Sequence, residues 1–136
     1  MPTRFDIQAV PDIRDDAITR LEEFVSSDPN VCFAMMFGSC VNTRRRKAND
    51  IDIAIYFYAV PKGLNLLNLI NTLSNLTGKE VDLVVLNTAS AFLRHQVMKT
   101  GIPLIIKDKD IFQRFREKTI TDYDEYKYIS GMNIYD

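Results

Sequence analysis

Apolar and polar positions fall in blocks along the chain, and the period changes from block to block. Over residues 12–27, Ile13, Ala17, Leu21, Phe24 and Val25 recur at helical spacing, while Arg14, Asp15, Arg20 and Glu22 fall elsewhere. That spacing predicts a first amphipathic helix, started by Pro11-Asp12 and stopped by Asp28-Pro29-Asn30. Residues 31–37, Val-Cys-Phe-Ala-Met-Met-Phe, are apolar without interruption. So short a run between turn residues predicts a strand buried on both faces, with Met35 and Met36 as core filler. Gly38-Ser39 ends it, and residues 40–49 are polar and basic, a stretch read as helical. Residues 50–58 then alternate around Ile51, Ile53, Ile55 and Phe57, the period of a second strand.

The second half repeats the alternation of elements. Residues 64–76 carry Leu66, Leu67, Ile70, Leu73 and Leu76 on one helical stripe, closed by Thr77-Gly78-Lys79 with Gly78 in a C-cap position. Residues 80–86 form a third apolar strand interrupted by Asp82. A helix over 89–100 ends at Gly101, and residues 102–106 give an edge-like strand, because Pro103 cannot donate to a central ladder. The last helix spans about 108–128, with Ile111, Phe112, Phe115, Ile120 and Tyr123 as its apolar side. The order predicts a small α/β or α+β domain around one central sheet, a single domain over residues 1–136.

Composition narrows the function classes. The 136 residues include 17 basic and 18 acidic side chains, a net charge of −1, which argues against a general nucleic-acid binder. The two cysteines, Cys32 and Cys40, are too few for a disulfide scaffold and suit a reduced, cytoplasmic protein. No apolar run reaches the length of a membrane span, and the first residues lack the apolar core of a signal peptide. The expectation is a cytoplasmic protein with no membrane partner.

Three features carry candidate chemistry. Gly38-Ser39 follows a buried strand, where backbone N–H groups and the Ser39 hydroxyl can face an anion. Taken alone, Gly-Ser is an ordinary turn. Asp50-Ile51-Asp52 opens the second strand, and residues two apart share a strand face. Two such carboxylates repel unless a cation sits between them, and Mg²⁺ favours oxygen ligands of this kind. Taken alone, the pair is more often two solvated acids. Asp82 interrupts an apolar strand, with Glu80 on the same face, so it either meets an ion or partner or lies on an edge facing water. If the second and third strands are neighbours, Asp50, Asp52 and Asp82 converge beside Gly38-Ser39. That arrangement suits metal-assisted phosphoryl or nucleotidyl transfer.

Gly38-Ser39, ten residues, Asp50-Ile51-Asp52 and then Asp82 in Val81-Asp82-Leu83-Val84 resembles the signature of the DNA polymerase β-like nucleotidyltransferase superfamily. The chain is most similar to its minimal members, the MNT-domain proteins, including MntA-type antitoxins paired with HEPN toxins. The resemblance implies a nucleotidyltransferase fold, an α+β domain with a small mixed sheet of about four strands flanked by helices. It implies Asp50, Asp52 and Asp82 as catalytic and metal-binding residues for two Mg²⁺ ions, with ATP as substrate. It implies Gly38 and Ser39 as phosphate binders. The family's loop arginine and second glycine are replaced here by Asn42 and Thr43, and Arg44, in the run Arg44-Arg45-Arg46-Lys47, can supply the positive charge. The implied reaction transfers AMP to a tyrosine of a HEPN-type toxin, with nucleic acid met only through that partner and an oligomer possible. The alternatives are an MNT-like antitoxin that acts by binding and occlusion, and a nucleotidyltransferase for RNA or a small molecule.

The remaining features read blandly. His95 is the single histidine and has no ligand pattern around it. Cys40 reads as a small loop residue rather than a nucleophile. Asp122-Tyr123-Asp124-Glu125-Tyr126-Lys127-Tyr128 reads either as a partner strip or as a helix packing its rings on the domain.

Overall fold

A computed structural model describes residues 16–38 and 50–131. The described elements are α1 (Asp16–Ser27), β1 (Val31–Phe37), β2 (Asp50–Phe57), α2 (Leu64–Thr77), β3 (Glu80–Val85), a 3-10 turn (Leu86–Thr88), α3 (Ala91–Thr100), β4 (Ile102–Ile106) and α4 (Lys109–Ser130). The strands form one mixed sheet in the order β3-β2-β1-β4. β1 runs antiparallel to both β2 and β4, and β2 runs parallel to β3. The expected α+β class with four strands flanked by helices is what forms. The helix expected within residues 40–49 lies outside the described residues.

The continuous apolar run of β1 is explained by its place. It lies between β2 and β4 and is covered on both faces, and six of its seven residues are buried. On one face Ile18, Leu21 and Val25 of α1 and Leu73 of α2 meet Ala34, Met36, Ile51, Ile53, Ile55 and Phe57. On the other, Phe33, Met35 and Ala54 meet Val97 of α3 and Ile111, Phe112 and Phe115 of α4. A register shift between Val31 and Phe33 lets Cys32 and Phe33 both join this second core. Phe33 anchors it, with Phe112 edge-on at 4.9 Å and Tyr56 stacked at 5.2 Å.

Several boundaries differ from the sequence expectation for local reasons. β2 ends at Phe57 rather than Tyr58, and β3 at Val85 rather than Leu86. Beyond these ends, asparagine side chains replace the ladder. Asn87 accepts from Phe57 N at 3.0 Å and donates to Phe57 O at 3.0 Å. Asn30 makes the same two-point contact with Ala59. α3 begins at Ala91 because the Ser90 hydroxyl caps Leu93 N. Asp108 caps α4 likewise through Ile111 N. Ile120, expected on the apolar side of α4, is 50% exposed, and Thr119 is buried instead. Past Phe115 the helix leans on α3. There the Arg94 guanidinium lies 3.5 Å from Thr119 Oγ1 and pairs with Asp122 at 3.1 Å. A polar contact takes the position that periodicity gave to Ile120.

Candidate active site

The site is assembled by two registers. The antiparallel pairing sets Phe37 opposite Asp52, so Gly38, the next residue, leaves β1 beside that carboxylate. Gly38 has φ of 77°, in the left-handed region that side chains disfavour. Space is a second and separate requirement. A Cβ built on Gly38 would overlap the Asp52 carboxylate, with Asp52 Cγ only 3.0 Å away. The backbone at Gly38 thus packs directly on an acidic side chain.

The parallel pairing sets Asp52 opposite Asp82 and Asp50 opposite Glu80. Alternate strand positions share a face, so these four carboxylates lie on the same face as Ala54 and Val84. Ala54 and Val84 belong to the core beneath α3 and α4. Asp52 and Asp82 form the next rung outward, where the apolar cover stops. Asp52 is half-buried, while Asp50, Glu80 and Asp82 are exposed. The sequence left open whether Asp82 meets a partner or faces water from an edge strand. It does both: β3 is an edge, and Asp82 faces Asp52.

Electrostatics mark Asp52 as the strained member. Burial pushes its carboxyl above the ordinary carboxylate range, and the charge of Asp82, a hydrogen bond with Asp82 and the charge of Asp50 push the same way. Crowded carboxylates of this kind are hard oxygen donors whose repulsion a cation relieves, and the donor chemistry fits Mg²⁺. Among the described residues, no three His, Cys, Asp or Glu side chains are already gathered around one cation position.

Of the residues singled out from the sequence, Gly38, Asp50, Asp52 and Asp82 are brought to one end of the sheet. Ser39, Cys40 and Arg44 lie outside the described residues. His95 lies in the α3–α4 contact, stacked on Tyr123 at 3.7 Å between ring centroids. Tyr123 and Tyr126 pack their rings toward Phe92, and Tyr128 is 75% exposed. Sequence reasoning read Gly38 as a backbone anion donor and missed that its bare Cα makes room for Asp52. The signal exists only once the β1–β2 register is known.

Comparison with known proteins agrees with this geometry. The family described as Polymerase beta, Nucleotidyltransferase matches residues 19–110, more than half of the chain. A candidate protein adenylyltransferase of Methanocaldococcus jannaschii is 28% identical over 72 residues, covering 53% of this chain and 77% of that protein. A crystal structure of a toxin–antitoxin with AMP-PNP matches with a TM-score of 0.74 and 25% identity, over 86% of this chain and 94% of that one. A tri-AMPylated Shewanella oneidensis HEPN toxin in complex with an MNT antitoxin matches with a TM-score of 0.64 and 23% identity, over 95% and 89% of the two chains. Among the described residues no helix is long and apolar enough to cross a membrane. With its sheet order, its facing carboxylates and this match, the chain belongs to the polymerase β nucleotidyltransferase family.

Proposed function

We propose that this chain is a Mg²⁺-dependent protein adenylyltransferase that moves AMP from ATP to a tyrosine of a HEPN-type toxin, and so acts as an antitoxin in the cytoplasm. The observation that carries the reading is the facing of Asp52 and Asp82 across the β2–β3 ladder, directly beside Gly38. The similar solved structures, which include an AMP-PNP complex and an AMPylated HEPN toxin, support the nucleotide and the partner class.

Asp50, Asp52 and Asp82 would hold two Mg²⁺ ions, which when bound gather triphosphate oxygens and draw charge from the α-phosphate. The chain's own groups do the rest. Gly38 N–H, with Ser39 and Arg44, holds the β- and γ-phosphates. Asp82, exposed on the edge strand, orients the acceptor hydroxyl and takes its proton. The tyrosyl oxygen bonds to the α-phosphorus as the bond to pyrophosphate breaks. An edge position for β3 leaves the acceptor side open to a large substrate such as a folded protein.

The test is transfer of label from α-labelled ATP to purified HEPN-type partner, comparing wild type with Asp50→Asn/Asp52→Asn. Label on a partner tyrosine from wild type alone supports the reading. Protection by the double variant at equal protein level would mean that occlusion, not catalysis, is the antitoxin mechanism. Label reaching RNA or a small amine but not protein would move the acceptor to that class.

A further inference from the structure

Helix α3 (Ala91–Thr100) crosses one face of the sheet diagonally. It starts after the 3-10 turn at the Val85 end of β3 and stops at Gly101, just before β4. Ile102 pairs with Met36, the residue before Phe37, and Phe37 pairs with Asp52. α3 therefore runs from the β3 edge, at the end away from the carboxylates, to the β4 edge at their end. The diagonal leaves two corners of the face. α4 fills one of them, with Phe112 and Phe115 against Phe33 and Tyr56. The other corner holds the rung of Asp52 and Asp82. The two flanks of α3 are correspondingly unlike. Arg94 reaches Thr119 and Asp122 of α4, and His95 stacks on Tyr123. Val97 points into the core and is fully buried. Gln96 lies about 160° round the helix from Arg94, on the carboxylate flank. It is partly exposed. Its backbone carbonyl accepts from Thr100 Oγ1 at 2.8 Å, but among the described residues its side-chain amide has no hydrogen-bond partner.

We infer that Gln96 reads the adenine of the bound nucleotide, its amide oxygen accepting from the N6 amino group and its amide NH₂ donating to N7. The inference rests on the adenylyltransferase reading and names the base contact within that site. A free side-chain amide offers a donor and an acceptor side by side, which matches the N6 and N7 positions of adenine. Guanine presents two acceptors there, O6 and N7, so one of the two bonds is lost. Charge separates the base from the phosphates. α3 ends beside the site, and the C-terminal end of a helix carries partial negative charge, which disfavours phosphate. The triphosphate is drawn instead to Gly38 and to the carboxylates that would hold Mg²⁺. The uncharged end of the nucleotide is left for the α3 flank. Leu93, one turn earlier on that flank, is partly buried and offers an apolar surface to the face of the ring.

Calorimetric titration with Mg²⁺ tests it, using ATP, GTP and purine riboside triphosphate (adenine without its N6 amino group) against the full chain and Gln96→Leu. Loss of one hydrogen bond weakens binding about fivefold, so wild type is expected to bind GTP and purine riboside triphosphate about fivefold more weakly than ATP. Gln96→Leu, which keeps the helix and about the same volume, is expected to bind ATP about fivefold or more weakly than wild type. It is also expected to bind all three nucleotides equally. A variant that weakens all three and keeps the wild-type ratios would show a structural role only and overturns the inference. So does a wild type that binds the three equally. ATP binding that needs Mg²⁺ but is unchanged in Gln96→Leu overturns the inference and leaves the carboxylate site standing. A wild type that binds none of the three overturns the inference and the nucleotide reading together.

Discussion

Gly38→Ala perturbs the site by the smallest possible addition. Two separate effects follow. A side chain at φ of 77° costs about 1–2 kcal/mol in the left-handed region. The new methyl also overlaps the Asp52 carboxylate, which is half-buried and faces Asp82, so one of them must move. Overpacking of this kind costs about 1–3 kcal/mol more. Gly78→Ala separates the two effects. Gly78 has φ of 71° as the C-cap of α2, but a Cβ there would meet nothing within 4 Å. Gly78→Ala is therefore expected to lose only the backbone cost, about 1–2 kcal/mol, or roughly 3–8 °C in Tm for a chain of this size. Gly38→Ala is expected to lose roughly 10 °C. The larger consequence is functional. A carboxylate displaced by about 1 Å costs on the order of 100-fold in rate, so adenylyl transfer should fall by that factor or more. Differential scanning calorimetry and initial rates of label transfer read the two quantities. Equal Tm losses in the two variants, with Gly38→Ala retaining full transfer activity, would refute the close packing of Gly38 on Asp52.

Other perturbations follow from the same structure. Asp52→Asn is expected to raise Tm at neutral pH without nucleotide. Its carboxyl sits above the ordinary range, so its charge opposes folding in full above the folded pKa, and the penalty fades as pH falls from that value to the ordinary unfolded one. The same variant is expected to abolish nucleotide transfer, a trade of function against stability. Asn87→Ala removes both side-chain bonds to Phe57, which is buried, and is expected to cost about 1–3 kcal/mol in urea denaturation with little effect on nucleotide affinity. Arg94→Ala breaks the contacts with Asp122 and Thr119 and lowers Tm at neutral pH. Hydrogen bonds from Lys118 and Arg94 hold the Asp122 carboxyl below its ordinary range. This stabilisation is present above the unfolded carboxylate value of about 3.9 and is lost as pH falls through the lower folded value. The Tm difference between wild type and Arg94→Ala should therefore shrink on strong acidification.

Much of this architecture is legible from residue patterns because β1 and β2 carry unlike signatures. A strand between two others and covered on both faces must be apolar throughout, and Val31–Phe37 is. Strand periodicity alone places Asp50 and Asp52 on one face. It does not say that Asp82 joins them, because that depends on parallel pairing of β2 with β3, a long-range fact. The Gly38–Asp52 contact is further still from the sequence, since it needs the antiparallel register and the local backbone angle together. Ile120 shows the opposite failure. Its apolar character and helical spacing pointed inward, but α4 has turned from the sheet to α3 by that point, and the buried position belongs to Thr119 under Arg94. Leu67 fails in the same way: helical spacing put it on one apolar stripe with Leu66, Ile70, Leu73 and Leu76, yet Leu73 is fully buried while Leu67 is 51% exposed.

The central claim is that the carboxylates beside Gly38 form a nucleotide-transfer site. Calorimetric titration of ATP, with and without Mg²⁺, into wild type and Asp50→Asn/Asp52→Asn tests it most directly. The account predicts binding to wild type that requires Mg²⁺ and disappears in the variant. Binding of equal strength without Mg²⁺, or binding that survives the double substitution, would contradict it.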